Sequence, residues 1–434
     1  MNRTVAPAPH LRRGGLVVAT ASLAAIGVAT LLPQPGPATE SHWCLVCGSL
    51  GGVSSILNVL LFLPLGIGLA IYRFGAKRAV VLICVLAILI ETAQLLFIPG
   101  RNATIGDVLA NSLGGAIGFA IARNAFILLR PTQQSAMALT IGWSIGWLAI
   151  QTVSAFGFTI ALPRSVYYGQ LAGQPYDSRP FSASVVQARI ADVAVPDTKL
   201  YDSRKVRGLV ISGATVTTTI LPESAHEIGP IVRIADDSQR EILVVGQNTT
   251  DMVFGVRTGA AAIRLRPTLF ALPDGFAGVQ SGSRRTVLNT LTLSAAYSAH
   301  EVWMNVQSGV THGRRIRITP SLVWTMLLPF QWYIEGTRTE RLLSAIWTGC
   351  LLLPLGYWAS ATSRSQRHGI ERFQLTVVSL ALLFVCAGLV LVPRAFGVTP
   401  APFSDWIAAL TGLLAGAGVS RRGPAPDSIV VLSD

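Results

Sequence analysis

Residues 91–115 read ETAQLLFIPGRNATIGDVLANSLGG. The apolar run ending at Phe97 and the one opening at Ile105 are parted only by a short polar segment around Pro99-Gly100-Arg101. Proline and glycine punctuate helices and favour turns, so the stretch predicts a helical hairpin. Its apolar helices nevertheless carry Glu91, Gln94, Asp107 and Asn111. A polar group in hydrocarbon costs on the order of a few kcal/mol unless it finds a partner. These positions therefore demand an explanation.

Working outward, the 434-residue chain is 51% hydrophobic and 13% charged, where a soluble domain carries about a quarter charged residues. Apolar runs at about 14–33, 54–72, 79–98, 105–122, 136–162, 340–359, 374–393 and 404–420 each approach the roughly 20 residues of a span. Arg3, Arg12 and Arg13 precede the first run, which lacks a small-x-small cleavage site and reads as an anchor. Arg73, Lys77, Arg78, Arg123, Arg130, Arg364, Arg367, Arg372, Arg421 and Arg422 fall in the alternate loops or at the C-terminal end of the last run. The positive-inside rule places all of them on one side. The expectation is a polytopic α-helical protein of the inner (cytoplasmic) membrane, with about eight spans, both termini cytoplasmic and residues 163–320 extracytoplasmic. The net charge of +13 then reflects topology and attraction to anionic headgroups. It implies a bilayer partner and no nucleic acid. Segment 321–335, SLVWTMLLPFQWYIE, is too short and Pro-broken to span. Trp324, Trp332 and Tyr333 predict that it lies in the interface. Three regions follow: a membrane region 1–162, an inserted domain 163–320, and a second membrane region 321–434.

Between 163 and 320 the period changes from helical to two. REILVVGQNTTDMVFGVRT (240–258) reads as strand, turn and strand, with Met252, Phe254 and Val256 on one face. AAIRLRP (261–267) alternates Ile263 and Leu265 against Arg264 and Arg266, and TVLNTLTLSAAYS, EVWMNVQSG and RRIRITP continue the pattern. Val302, Met304 and Val306 share one face, leaving Trp303 on the other. Short strands between polar turns predict an all-β antiparallel sandwich. The stretches GPIVRIADDSQREILVVGQNTTDMVFGVRT and LTLSAAYSAHEVWMNVQSG resemble the central hairpins of concanavalin A-like (laminin-G-like) jelly rolls. That resemblance implies a jelly-roll domain of a kind that often binds carbohydrate, in some members through calcium. Asp236 and Asp237 read as turn residues rather than metal ligands. Trp303 is a candidate to stack on a sugar or to pack beside the helices. No metal site or cofactor is predicted.

The cysteines agree with an envelope location. Cys84, Cys350 and Cys386 lie in apolar runs and read as small core residues. Cys44 and Cys47, in SHWCLVCG, cannot alone complete a four-ligand zinc site, and His42 adds only a third candidate. No His follows Cys47 directly, so this is no haem-attachment motif. In an oxidising compartment the pair is expected as a disulfide.

Helical geometry places Glu91 roughly 12 Å below the end of its helix at Pro99, and Asn111 roughly 6 Å deeper than Asp107 on the same face. Gln94 shares the face of Glu91. Asn58 enters at a similar depth from the preceding helix, Arg101 waits at the rim, and Gly114, Gly115 and Gly118 permit close packing. One reading is a hydrogen-bonded knot, with Asp107 or Asn102 capping a helix. The other is a site open to the outer leaflet, in which Glu91 is the residue least replaceable by a neutral one.

LNVLLFLPLGIGL, ILIETAQLLFIPGR and IGDVLANSLGGAIG resemble the VanZ-like family across residues 54–122. The family pattern runs Asn, Pro-x-Gly, Glu-x-x-Gln with Pro-Gly-Arg, then Asp and a polar residue before Leu-Gly. The resemblance makes Asn58, Glu91, Gln94, Arg101, Asp107 and Asn111 motif positions. It implies a cell-envelope role, since the best-known member lowers bacterial susceptibility to the glycopeptide teicoplanin. A degenerate copy follows at about 340–420: VLLFLPLG (59–66) echoes GCLLLPLG (349–356), LLFIPGR echoes LVLVPRAF, and GDVLANSLGGAIG echoes SDWIAALTGLLAG. In that copy Pro354 and Asp405 match Pro64 and Asp107. Thr348 and Ala409 replace Asn58 and Asn111, and no acid matches Glu91 near Val385. Loss of the polar set from one copy favours a single site in the first. The leading functional expectation is binding or modification of a surface glycan or lipid-linked envelope component. The alternatives are a membrane hydrolase or transferase, with Glu91 as catalytic general base and Arg101 on a lipid-linked phosphate, and a transporter or flippase built from two parallel units.

Overall fold

The computed structural model describes residues 9–33, 41–172, 184–222, 227–277, 290–298, 300–308, 310–362 and 371–421. Arg3, Arg364, Arg367 and Arg422 lie outside the described residues. Eight helices among the described residues are long and apolar enough to cross a membrane. The chain is a polytopic helical membrane protein with an inserted β domain. It divides into two compact units, one of residues 1–143, 353–381 and 414–434, the other of residues 144–352 and 382–413.

The first unit is built on α1 (Pro9–Leu31), α2 (Gly51–Ile71), α3 (Ala76–Phe97) and α4 (Ile105–Arg123), followed by the short α5 (Ala125–Leu129) and the start of α6 (Gln133–Phe158). Ile26, Phe62, Leu65, Ile83 and Phe119 form its apolar core. Glycine decides how α2 and α4 meet. A Cβ on Gly114 would collide with the Val59 carbonyl, one on Gly118 with that of Leu63, and one on Gly66 with that of Gly115. The two backbones therefore touch directly, the contact that small residues permit between helices in lipid.

In the second unit, α6 leads into two six-stranded sheets. The strands are β1 (Tyr167–Leu171), β2 (Ser184–Ile190), β3 (Val193–Ala194), β4 (Val216–Leu221), β5 (Glu227–Asp236), β6 (Glu241–Thr249), β7 (Asp251–Val256), β8 (Leu269–Leu272), β9 (Leu291–Tyr297), β10 (Glu301–Ser308), β11 (Val310–Arg317) and β12 (Tyr333–Ile334). Helix α7 (Ser203–Ile211) joins β3 to β4, and the single turn α8 (Gly259–Ala262) follows β7. One sheet runs β1-β5-β6-β7-β8-β12 and the other β11-β10-β9-β4-β2-β3. Every pairing is antiparallel except β12 with β8. The sheets form a sandwich: Phe270 of one meets Tyr297 of the other edge-on, ring centroids 5.9 Å apart. The Tyr297 hydroxyl donates to the carbonyl of Phe158 at 2.6 Å, fastening the sandwich to the end of α6.

The alternation expected in β10 is present, with Val302, Met304 and Val306 buried and Trp303 half-buried. Strand β7 is buried on both faces, Val253 as well as Met252, Phe254 and Val256, because it is central and covered on each side. AAIRLRP is no strand: it forms α8 and a turn in which Arg264 takes a φ of 55°, which an extended chain cannot hold. Residues Pro320–Leu327 make a buried 3-10 helix and Tyr333–Ile334 complete a sheet, so the β domain extends past residue 320. Asp236 closes β5 and caps the turn that follows. Its Oδ1 accepts from the backbones of Ser238 and Arg240, and its Oδ2 from Arg240 Nε at 2.7 Å. Burial pushes this carboxyl up, but those hydrogen bonds outweigh it and hold it below its ordinary value.

Helices α9 (Arg338–Ala361), α10 (Glu371–Cys386), α11 (Val392–Ala395) and α12 (Phe403–Arg421) supply the remaining spans. A π turn over Ala387–Leu391 links α10 to α11. It comes just before Pro393, which lacks the N–H of a regular helix. Gly388 there lies against Trp147, with no room for a Cβ.

Candidate functional site

The site begins with the reversal between α3 and α4, where Gly100 takes a φ of 75°. Thr104, extended in backbone, is the N-cap of α4. Its Oγ1 accepts from Asp107 N at 3.1 Å and donates to Asp107 Oδ2 at 2.8 Å. This reciprocal box satisfies an orphan donor of the first turn. Asp107 Oδ1 accepts from Asn58 Nδ2 of α2 at 2.5 Å, and Glu91 Oε2 of α3 accepts from Thr104 N at 3.0 Å. Three helices are thus joined by one chain of hydrogen bonds, Asn58–Asp107–Thr104–Glu91.

The other motif residues turn elsewhere. Gln94 donates to the Thr30 carbonyl at 2.8 Å, while Arg101 donates to the carbonyls of Leu32 at 3.0 Å and Ala29 at 2.6 Å. These carbonyls end α1, where a helix leaves its last acceptors unsatisfied and favours a cation. Burial lowers the Arg101 guanidinium, and the Glu91 and Asp107 carboxylates partly offset this. No ion pair within 4.0 Å among the described residues joins Arg101 to either acid.

Two acceptors are left over. Asn111, 1% exposed, has a buried Oδ1 with no hydrogen-bond partner among the described residues. Glu91, 7% exposed, accepts from Thr104 through Oε2 alone among the described residues. An unpaired buried acceptor such as Asn111 Oδ1 is uncommon, and a ligand bearing hydrogen-bond donors would satisfy it.

Residues 41–50 cover the opening of α4. Ile105 N donates to His42 O at 3.0 Å, Gly106 N to Cys44 O at 3.1 Å, and His42 Nδ1 lies 2.9 Å from Ala103 O. Gly106 is required, since a Cβ would strike the Leu45 carbonyl. Cys44 and Cys47 are free thiols in this structure. Burial and the Cys44 side chain push the Cys47 thiol up to about 11, which makes it a poor nucleophile at neutral pH. In the β domain, Trp303 stands across from Ala296 and Arg315 on neighbouring strands.

Sequence reasoning gathered six positions. The structure draws Asn58, Glu91 and Asp107 together, directs Gln94 and Arg101 to α1, and leaves Asn111 unpaired at its oxygen. It adds Thr104, Thr30 and His42. The T-x-x-D spacing of Thr104 and Asp107 is a capping signature that could have been read. Thr30 and His42 act through backbone carbonyls or a long-range loop contact and carry no such signal. A family model described as VanZ/LLP1 matches residues 21–129, which contain Thr30, His42, Thr104 and all six motif positions. No curated protein and no solved structure matches the chain.

Proposed function

We propose, from the match of residues 21–129 to a family model described as VanZ/LLP1, that this protein binds the polar head of a lipid-linked cell-envelope component. The cluster of Asn58, Glu91, Asp107 and Asn111 is the binding site and faces the outer leaflet of the inner membrane. Gln94 and Arg101 fix α1 beside it. The observation that supports this reading is the buried Asn111 Oδ1, which has no hydrogen-bond partner among the described residues, together with a Glu91 carboxylate that accepts through Oε2 alone among them, in a setting where polar groups are costly without partners. Hydroxyl, amide or ammonium groups of a glycan-bearing headgroup supply the missing donors. Separately, Trp303 of the β domain, half-buried on β10, is a ring suited to stacking on a sugar. A Cys44–Cys47 disulfide would lock the loop over α4. Shielding of the same envelope component accounts for reduced susceptibility to glycopeptides.

The test uses a susceptible Gram-positive host expressing the wild type, Glu91→Gln, or neither, with membrane levels matched. Binding of fluorescent teicoplanin to intact cells is measured. Reduced binding with the wild type, and partial recovery with Glu91→Gln, is expected. Equal binding in all three strains overturns the proposal.

A further inference from the structure

Beyond the Glu91 cluster, the second unit carries a concentration of arginines that form no ion pair within 4.0 Å among the described residues, where α6 enters the β domain. Helix α6 ends at Phe158, and the chain is fastened at once to the sandwich. Gly259 N donates to Thr159 O, Ala161 N to Arg257 O, and Ile160 bridges Thr258. Beside this junction lies a cavity of about 490 Å³ lined by Arg164, Ser165, Ser203, Arg204 and Arg207. A second, of about 500 Å³, shares Arg164 and Arg207, adds Arg257, and is walled by Ile160, Leu162 and Ile211.

Four arginines line these two spaces and no carboxylate does. The ion pairs among the described residues use Lys205, Arg233, Arg240 and Arg315 and none of the four. Ser165 Oγ is buried without a hydrogen-bond partner. Ser203 is anchored: its hydroxyl donates to Leu200 O at 3.0 Å and accepts from Tyr167 N at 2.9 Å. Arg257 is half-buried. Burial and the neighbouring Arg240 lower its guanidinium, and Asp236 and Tyr167 only partly offset this. Unneutralised arginines crowded together repel one another, and an arriving anion removes that repulsion. Planar guanidinium forks match phosphate oxygens in geometry as well as charge.

We propose that these residues form a phosphate-binding site, and that its occupant is the phosphate headgroup of a membrane lipid. Three observations point to the lipid: the site opens beside the end of a membrane span, it has an apolar wall on that side, and Ile211 of that wall is 53% exposed. Phosphate oxygens take the Arg164, Arg204 and Arg207 forks and the Ser165 hydroxyl. The first acyl carbons lie along Ile160 and Leu162. The site shares no residue with the Glu91 cluster and does not rest on the reading given for it.

The test uses the full chain in nanodiscs and in detergent. In nanodiscs, enrichment of phosphatidylglycerol over phosphatidylcholine around the protein is read by mass spectrometry of the retained lipid. In detergent, binding of short-chain phosphatidylglycerol and of inorganic pyrophosphate is titrated separately. The variants are Arg164→Gln/Arg204→Gln/Arg207→Gln, the matching triple Lys replacement, and Arg315→Gln as a control on β11. Equal thermal melting establishes that each is folded. Expected are tenfold or greater weakening of phosphatidylglycerol binding in the triple Gln variant, partial retention in the triple Lys variant, and no change for Arg315→Gln. Pyrophosphate competing only at far higher concentration supports the lipid as occupant. Pyrophosphate binding as tightly as the lipid, and lost in the same variant, overturns the lipid assignment while retaining a phosphate site. Unchanged lipid and pyrophosphate binding in the triple Gln variant overturns the site altogether.

Discussion

Thr104 serves two neighbours at once: its hydroxyl is spent on Asp107 and its backbone N–H on Glu91. A valine of nearly the same shape removes the hydroxyl and keeps the N–H. Asp107 would lose a donor, and the first turn of α4 its cap. We expect Thr104→Val to destabilise the protein by about 1–2 kcal/mol, read as a lower melting temperature in detergent, with Thr104→Ser close to wild type. If Thr104→Val melts like the wild type, the cap is not what holds α4 in place. The same corner shows what single residues reveal and conceal in sequence. Asp107 was legible as a helix-start residue, but its partner Asn58 lies 49 positions away, beyond any local pattern.

At the level of elements, the site depends on how closely α2 and α4 approach, since Asn58 reaches Asp107 from one helix to the other. Gly114 and Gly118 set that approach, each pressed against a carbonyl of α2. Gly114→Ala must move the helices apart at a cost of about 1–3 kcal/mol, and the Asn58–Asp107 bond lengthens with it. Gly142 and Gly146 of α6 have nothing within 4 Å of a Cβ, so Gly142→Ala and Gly146→Ala should be neutral or slightly stabilising, since alanine is the better helix former. Thermal melting of the three variants checks the contrast, and equal losses would remove the packing argument. The glycines were readable as interface residues because the helix had no other use for them. The AAIRLRP segment shows the opposite case. Its alternation of apolar and basic residues imitates a strand, but the positive φ of Arg264 closes a turn.

For the whole molecule, the two halves repeat a packing scheme rather than a chemistry. Gly412 meets the Gly349 carbonyl and Gly416 that of Leu353, at the positions matching Gly114 with Val59 and Gly118 with Leu63. Asp405 is retained and buried, but Thr348, in place of Asn58, bonds among the described residues only back to Ser344 O of its own helix at 3.0 Å. A helical hydroxyl spent on its own backbone contributes little. Thr348→Ala should therefore leave both stability and the teicoplanin-binding phenotype within error of wild type. Asn58→Ala, which strips a donor from Asp107, should abolish the phenotype at matched membrane levels. Equal effects of the two substitutions would mean that both copies work, and that the single-site reading is wrong.

Hydropathy and period alone determined the eight spans and the inserted β domain, because a helix in lipid satisfies its backbone within its own segment and announces itself by composition. What the sequence could not decide was the partner of each polar group. Gln94 and Arg101 pair with carbonyls 64 to 72 residues distant at the end of α1, and Asn111 finds no partner for its oxygen among the described residues. Such choices depend on the rotation and separation of packed helices, which glycine contacts and loop closure fix in three dimensions. The arginine-lined junction was equally hidden, since Arg164, Arg204 and Arg257 come from three separate segments. Only folding sets them around two cavities that share Arg164 and Arg207.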